Sequence, residues 1–286
     1  MNKFFVITNT AKDPKFEFTN EIIEYLESRG CVCYRQPEGV DAKASGYRYT
    51  NPDYIPNEVE CAIVLGGDGT IIQASRDLCK REIPIFGVNI GTLGFLTDIE
   101  KTSVYPALDL VIEDKYEIDT RMMLNGKAYR DGNLIYENIA LNDIVINRTG
   151  MLRVIDFDIF VNDEYLNSYS ADGLIVATAT GSTAYSLSAG GPIVQPNASM
   201  MLITPVCPHT LNKRSIILAE NDRIELVMTA NKGIYQERVA SFDGEQHVPL
   251  MTGDKIVITK AKERTMLIKT NKISFLQVIR KKMADS

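Results

Sequence analysis

The spacing of apolar positions changes partway along this chain, and the change divides it in two. Over roughly the first 100 residues, short apolar runs alternate with stretches of helical period, the pattern of a parallel α/β sheet. Residues 4–8 form a short buried strand. Thr19 is placed to cap a helix that carries Ile22, Ile23 and Leu26 on one face and stops at Gly30. Residues 31–34 give the next strand. Residues 36–56, with their Pro and Gly, read as an exposed loop. The run Cys61-Ala62-Ile63-Val64-Leu65 is a buried strand, residues 83–88 are another, and residues 101–114 look helical.

Further on the period becomes two. Ile155, Phe157, Ile159 and Val161 alternate with Asp156, Asp158 and Phe160, and Asn162-Asp163 supplies a hairpin turn. More strands are expected at 139–147, 173–178, 216–219, 223–229, 239–243 and 255–260, with a short closing helix around Phe275 and Ile279. The expected fold is an α/β N-terminal domain with a parallel sheet, over residues 1–115, followed by a mostly β, sandwich-like domain over residues 116–265. The tail, residues 266–286, is expected to rejoin the first domain.

Composition narrows the class. A chain of 286 residues with 45% hydrophobic content can bury two ordinary cores. A formal net charge of −6 argues against nucleic acid as the main partner. The five cysteines, Cys31, Cys33, Cys61, Cys79 and Cys207, are odd in number and lack metal-ligand spacing, which fits reduced, buried thiols. The chain opens Met1-Asn2-Lys3-Phe4-Phe5, too short an apolar stretch for a signal peptide, and no segment has the length to span a bilayer. A soluble cytoplasmic protein without a membrane partner is expected.

The chemistry concentrates at Gly66-Gly67-Asp68-Gly69-Thr70, which follows the 61–65 strand and precedes a helix start at Ile71-Ile72-Gln73. A strand, a glycine turn and a helix N-terminus make a phosphate-binding corner, because the glycines admit close approach or positive φ and the first helical N–H groups are unpaired. No Lys-Ser/Thr follows, as a Walker loop requires, and Ile72 stands where a dinucleotide fingerprint has its third glycine. A carboxylate among bound phosphates is repelled, so Asp68 has work there: taking a proton from an attacking hydroxyl, or holding a metal ion. The plainer alternative is a tight connection with a solvated Asp. A second glycine turn, residues 89–95, follows the 83–88 strand, so both turns fall at the carboxyl edge of the sheet, where ligands of open α/β sheets bind.

Two more features lie in the β half. Thr180-Gly181-Ser182-Thr183-Ala184-Tyr185-Ser186-Leu187-Ser188, rich in hydroxyls, follows the strand after Asp172 and suits recognition of a nucleotide or simply a capped loop. Asn142-Asp143 interrupts an apolar strand, and such polar groups either pair internally or face a ligand. His209 reads as a hydrogen-bonded loop residue, and with only His209 and His247 in the chain no zinc site is expected.

Together these segments resemble the NAD kinases. The resemblance runs from Leu65 to about Leu250 and includes four segments in family order: residues 66–70, residues 87–95, Asn142-Asp143, and Asp172-Gly173 leading into residues 180–185. It implies transfer of the γ-phosphoryl of ATP to the adenosine 2′-hydroxyl of NAD, with Mg²⁺ or another divalent ion accompanying ATP. By matching position Asp68 is the proton acceptor, with Gly69 beside it. Asn142, Asp143, Arg153, Asp172, Thr183, Ala184, Tyr185, Ser186, Leu187, Ser188 and Glu245 stand on the NAD side. A homodimer or homotetramer is implied as well. The sequence departs from the family pattern at Gln73, where Arg or Lys is common, and at Ser170, where a basic residue is common. Ala179 replaces the proline of Thr-Pro-Thr, and Glu245 stands where Gln often contacts NAD. Two alternatives stay open at this point: a lipid or other small-molecule kinase sharing the first glycine motif, and a non-catalytic nucleotide sensor.

Overall fold

In the computed structural model of the chain, residues 1–35, 51–91, 94–97, 99–149, 154–210, 213–229, 238–271 and 273–284 are described. They divide into two compact units, the first of residues 1–120 and 263–286, the second of residues 121–262.

The first unit is built on parallel strands with helices on both faces. Strands β1 (Lys3–Thr8), β2 (Val32–Arg35), β3 (Cys61–Gly66) and β4 (Ile85–Asn89) lie in the order β2-β1-β3-β4, and all three pairings are parallel. β5 (Ile99–Glu100) lies parallel beside the end of β4, pairing Ile99 with Val88. Burial on both faces explains the unbroken apolar runs of β1 and β3. Helices α1 (Glu17–Ser28) and α3 (Val104–Ile112) cover one face, where Phe18, Ile22, Leu26, Val104, Leu108 and Val111 join Phe4, Ile63, Leu65 and Phe86 in one core. Helix α2 (Asp68–Leu78) covers the other, with Ile71 packed where a side chain on Gly87 would stand.

Two local expectations are corrected here. Thr19 does not cap α1 but lies in its first turn. Asp13 does the capping, its carboxylate accepting from the Thr19 backbone N–H at 2.9 Å and from the Thr19 hydroxyl at 2.7 Å. The left-handed backbone at Phe16, φ 55°, lets the helix begin earlier than the sequence suggests. Gly30 does end it, at φ +79°. The expected 36–56 loop falls largely outside the described residues, and its described end is not an open loop. Residues Pro52–Tyr54 form a 3-10 turn, Ile55 is buried, and the Arg81 guanidinium donates to the carbonyls of Pro52, Ile55 and Pro56.

The second unit is a sandwich of two antiparallel sheets. β6 (Glu117–Arg130), most of which lies in this unit, and β7 (Asn133–Ala140) form a hairpin. One sheet contains β8 (Asp143–Arg148), β11 (Gly173–Thr178), β12 (Met200–Val206), β13 (Ile216–Ala219), β15 (Arg238–Phe242) and β16 (Gln246–Leu250), in the order β13-β12-β11-β8-β15-β16. The other contains β10 (Glu164–Ala171), β9 (Ile155–Val161), β14 (Ile224–Thr229) and the start of β17 (Lys255–Lys269). Ile144, Leu174, Ile203 and Phe242 from the first sheet and Phe157, Ile159, Leu226 and Ile256 from the second share one core. Helix α4 (Tyr185–Ser188) is a single turn, and α5 (Phe275–Ala284) closes the chain in the first unit. The α/β half and the sandwich-like β half expected from the sequence are both present.

The expected strand at 139–147 is in fact two. β7 ends at Ala140, β8 starts at Asp143, and Leu141-Asn142 form the break. Asp243 causes it: left-handed at φ 50°, it reaches back to take the N–H groups of Leu141, Asn142 and Asp143. The thiols also differ from expectation. Cys31, Cys61 and Cys79 are buried and Cys33 half-buried, but Cys207 is exposed; all five are free. Burial pushes the Cys61 and Cys33 thiols up to about 12.

Candidate active site

In the first unit the apolar run of β3 delivers the chain to its carboxyl edge at Gly66, and α2 starts two residues later. Gly67 is the N-cap, and Asp68 is already the first helical residue rather than part of a loop before it. None of these glycines needs positive φ. Gly66 is small because any Cβ there would collide with Thr70, whose hydroxyl accepts from Asn9 Nδ2 at 3.0 Å. A carboxylate in the first turn also meets the favourable end of the helix dipole.

The half-buried Asp68 carboxylate is oriented by the second glycine turn. Oδ2 accepts the Phe95 N–H at 2.8 Å and Oδ1 the Leu96 N–H at 3.0 Å. A side chain on Gly94 would overlap that carboxylate. The two turns are adjacent because β3 and β4 are, Gly66 pairing with Asn89, and Ile90 N–H donates to the Gly66 carbonyl at 3.0 Å. Residues 92 and 93 of the second turn lie outside the described residues. A third loop, after β1, brings in Lys12: its Nζ would stand 3.0 Å from a Cβ at Gly67 and 2.7 Å from one at Gly91. The sequence reading missed Lys12, although a cation in the loop after β1 belongs to the same carboxyl edge. Gln73, at a position of family departure, is buried on α2 and donates to Asp77. Gly69 is exposed beside Asp68, with open space where its side chain would be.

The second unit holds the remaining candidates, apart from Arg153, which lies outside the described residues. Asn142 lies in the β7–β8 break and Asp143 opens β8. Their backbone is fully engaged: the Asp243 carboxylate takes three N–H groups at 2.9, 2.8 and 3.2 Å, Thr178 N–H donates to the Asn142 carbonyl at 2.8 Å, and Thr178 Oγ1 donates to the Leu141 carbonyl at 2.7 Å. Gly181 packs against the Asn142 carbonyl with no room for a Cβ. Burial first, and then the negative charge of Asp243, push the Asp143 carboxyl up to about 7.

Asp172 sits between β10 and β11, where Arg148 Nε donates to its Oδ1 at 2.7 Å. Arg148 is a second residue the sequence reading missed. It supplies the cation beside Asp172, while Ser170 donates its hydroxyl to Asp156 instead. The hydroxyl-rich segment splits by role. Ser182 bonds the carbonyls of Ala179 and Val194, and buried Ser186 shares a hydrogen bond with Thr204 at 3.1 Å, so these hydroxyls hold the turn. Tyr185, Leu187 and Ser188 are exposed on α4, with Thr183 and Ala184 half-buried before it. The Tyr185 hydroxyl is raised by burial first and then by Cys207, Asp172 and Asp143, which places these groups in one neighbourhood. Half-buried Glu245 lies on the β15–β16 turn, two residues beyond Asp243. His209, in the loop after β12, donates its backbone N–H to the Ser170 carbonyl at 2.8 Å, and its side chain is exposed. The structure thus places Asp68 and Gly69 in the first unit and gathers Asn142, Asp143, Asp172 and Tyr185 in the second.

Comparison with known proteins covers both units. Residues 4–116 match the family model of the ATP-NAD kinase N-terminal domain, and residues 141–270 match that of the ATP-NAD kinase C-terminal domain. A protein of Lachnospira eligens named NAD kinase is 52% identical over 99% of this chain and 100% of its own length. One of Lachnoclostridium phytofermentans with the same name is 43% identical, covering 100% of both chains. Among solved structures, yeast NADH kinase complexed with NADH superimposes with a TM-score of 0.79 at 26% identity, covering 98% of this chain and 86% of the other. An NAD kinase from Archaeoglobus fulgidus in complex with ATP shares the fold, with a TM-score of 0.76 at 23% identity and 98% coverage of both chains.

Proposed function

The chain belongs to the ATP-NAD kinase family, and on that premise we propose how its residues carry out the ATP-dependent phosphorylation of NAD to NADP. The adenosine 2′-hydroxyl oxygen of NAD attacks the γ-phosphorus of ATP. A new P–O bond forms, the bond to the β–γ bridging oxygen breaks, and ADP leaves with that electron pair. The hydroxyl proton passes to the Asp68 carboxylate. One observation carries this reading: a half-buried carboxylate at the first residue of α2, aimed by two backbone N–H groups from the neighbouring glycine turn. Oriented this way, Asp68 is a base with little freedom to lose at the transition state.

Lys12, poised between the two glycine turns, balances phosphate charge from the donor. Gly69 leaves open space beside the base. On the NAD side stand Asn142, Asp143 and Asp172, the segment from Thr183 to Ser188, and Glu245, with Arg153 carried over from the family pattern. Among the described residues no group of three or more His, Cys, Asp or Glu could hold a metal; the divalent ion enters this reading with the donor, as Mg²⁺-ATP. Homodimeric or homotetrameric assembly and a cytoplasmic location belong to the same proposal. No helix among the described residues is long and apolar enough to cross a membrane. Neither the lipid-kinase nor the sensor alternative is favoured by the relatives' names.

Purified protein incubated with NAD and Mg²⁺-ATP should form NADP, read by an NADP-specific dehydrogenase. Turnover should stop on addition of chelator while the circular dichroism of the fold is retained. Absence of NADP in the presence of both substrates would overturn the reading.

A further inference from the structure

Neither Asn142 nor Asp143 makes a side-chain hydrogen bond to another described residue, while the backbone around them is bonded on every side. The N–H groups of residues 141–143 go to Asp243, the Leu141 and Asn142 carbonyls to Thr178, and the Asp143 carbonyl to the N–H of Asp243 at 3.0 Å. A break between two strands leaves backbone groups without ladder partners, and each one buried unpaired costs free energy. One carboxylate taking three consecutive N–H groups removes that cost and fixes all three peptide planes. Asp243 at φ 50° and Gly244 at φ +73° form the tight turn that joins β15 to β16, and from that turn the Asp243 carboxylate reaches back over the break.

We propose that Asp243 is a positioning residue for the dinucleotide, clamping the backbone of residues 141–143 so that the side chains of Asn142 and Asp143 are presented to NAD. The inference deepens the NAD kinase reading and rests on it. Asp243 touches no substrate; it acts through the geometry of its neighbours, and Thr178 is the second jaw of the same clamp.

The test compares three variants of the full chain. Asp243→Asn keeps one acceptor oxygen and turns an amide N–H toward a backbone donor. It should raise the KM for NAD by about 10- to 100-fold, with kcat and the KM for ATP within about threefold of the parent. Thr178→Val removes the hydroxyl from the other jaw at nearly constant volume and should move the NAD KM in the same direction. Asp254→Asn is the control for stability alone. Buried Asp254 accepts from Arg130 and from the Met251 N–H in a different hairpin of the same unit, so its loss should lower the melting temperature and leave the NAD KM unchanged. A folded Asp243→Asn protein with parental NAD KM would overturn the proposal, as would a fall in kcat without a rise in KM. Should Asp243→Asn fail to fold, Thr178→Val decides in the same way. If the parent protein forms no NADP, the kinase reading fails. The clamp is then tested by hydrogen exchange, where Asp243→Asn should selectively lose protection at the amides of residues 141–143; unchanged protection there would overturn it.

Discussion

Two acidic side chains in this molecule do the same backbone work for different purposes. Asp68 takes the N–H groups of Phe95 and Leu96, and Asp243 those of Leu141, Asn142 and Asp143. At the first corner the carboxylate that is held is also the one assigned to the chemistry, and the turn exists to aim it. At the second, in our proposal, the carboxylate stands behind the site, and the residues whose backbone it holds are the ones presented to the dinucleotide. The difference follows from the task. A base needs one oxygen at one place, whereas a dinucleotide is gripped by several side chains whose common support is a stretch of main chain.

The largest effect should come at the first corner. Asp68→Asn keeps the shape and removes the proposed base, and kcat should fall by about 10²- to 10⁴-fold with a much smaller change in NAD affinity. Near-parental turnover would take Asp68 out of the proton-transfer role and leave it the purely structural clamp that its two hydrogen bonds also permit.

Gly94→Ala tests the aiming without touching the base. The added methyl overlaps the Asp68 carboxylate and must displace it. A shift of about 1 Å costs on the order of 100-fold in rate, so kcat should drop while thermal unfolding changes little. An unaffected kcat would mean that the position of the carboxylate is not critical.

At the second corner the charge of Asp143 gives a pH signature. Its folded-state carboxyl is raised from the ordinary 3.8 to about 7, so the folded state binds the proton more tightly than the unfolded chain. Stability from this group is therefore full below about pH 4 and is lost as pH rises through about 7. Asp143→Asn should remove that dependence and gain on the parent with rising pH, by at most about 1.4 kcal/mol per pH unit across the window. Denaturant titrations at several pH values measure it. Parallel pH profiles for parent and variant would show that Asp143 is not held in the neutral form.

The smallest effect is expected at Arg148, whose ion pair with Asp172 is partly solvent-screened. Arg148→Met should cost about 1 kcal/mol or less. That lowers the melting temperature by roughly 2–4 °C for a domain of this size; a larger loss would show that the pair anchors the second unit more firmly than its exposure suggests.

What the sequence disclosed and what it hid divide along range. The glycine corner was legible because strand, turn and helix are contiguous, and β11 and β13 were found at their observed bounds because each is a short apolar run between turn residues. The left-handed pair Asn162 and Asp163 marked its hairpin for the same local reason. The break at residues 141–142 was illegible, since its cause lies about a hundred residues away in Asp243. Thr19 was mistaken for a cap because Asp13 competes for the same role from a preceding turn. The long strand β6 does not show in the sequence pattern, because Glu117-Ile118-Asp119-Thr120-Arg121 carries almost no apolar alternation. At the site the residue types could be read, but the division of Ser182 and Ser186 into structural hydroxyls needed their partners Val194 and Thr204.

The contrast between a corner that reacts and a corner that presents is tested most directly by an NAD analogue lacking only the adenosine 2′-hydroxyl. The second unit keeps every contact assigned to it, while Asp68 has no proton to accept. The analogue should compete with NAD, weakened by about 10- to 150-fold for the loss of one hydrogen bond to a charged acceptor, and should remain unphosphorylated after prolonged incubation with Mg²⁺-ATP. Phosphate appearing on another hydroxyl of the analogue, or failure of the analogue to compete at all, would contradict the account.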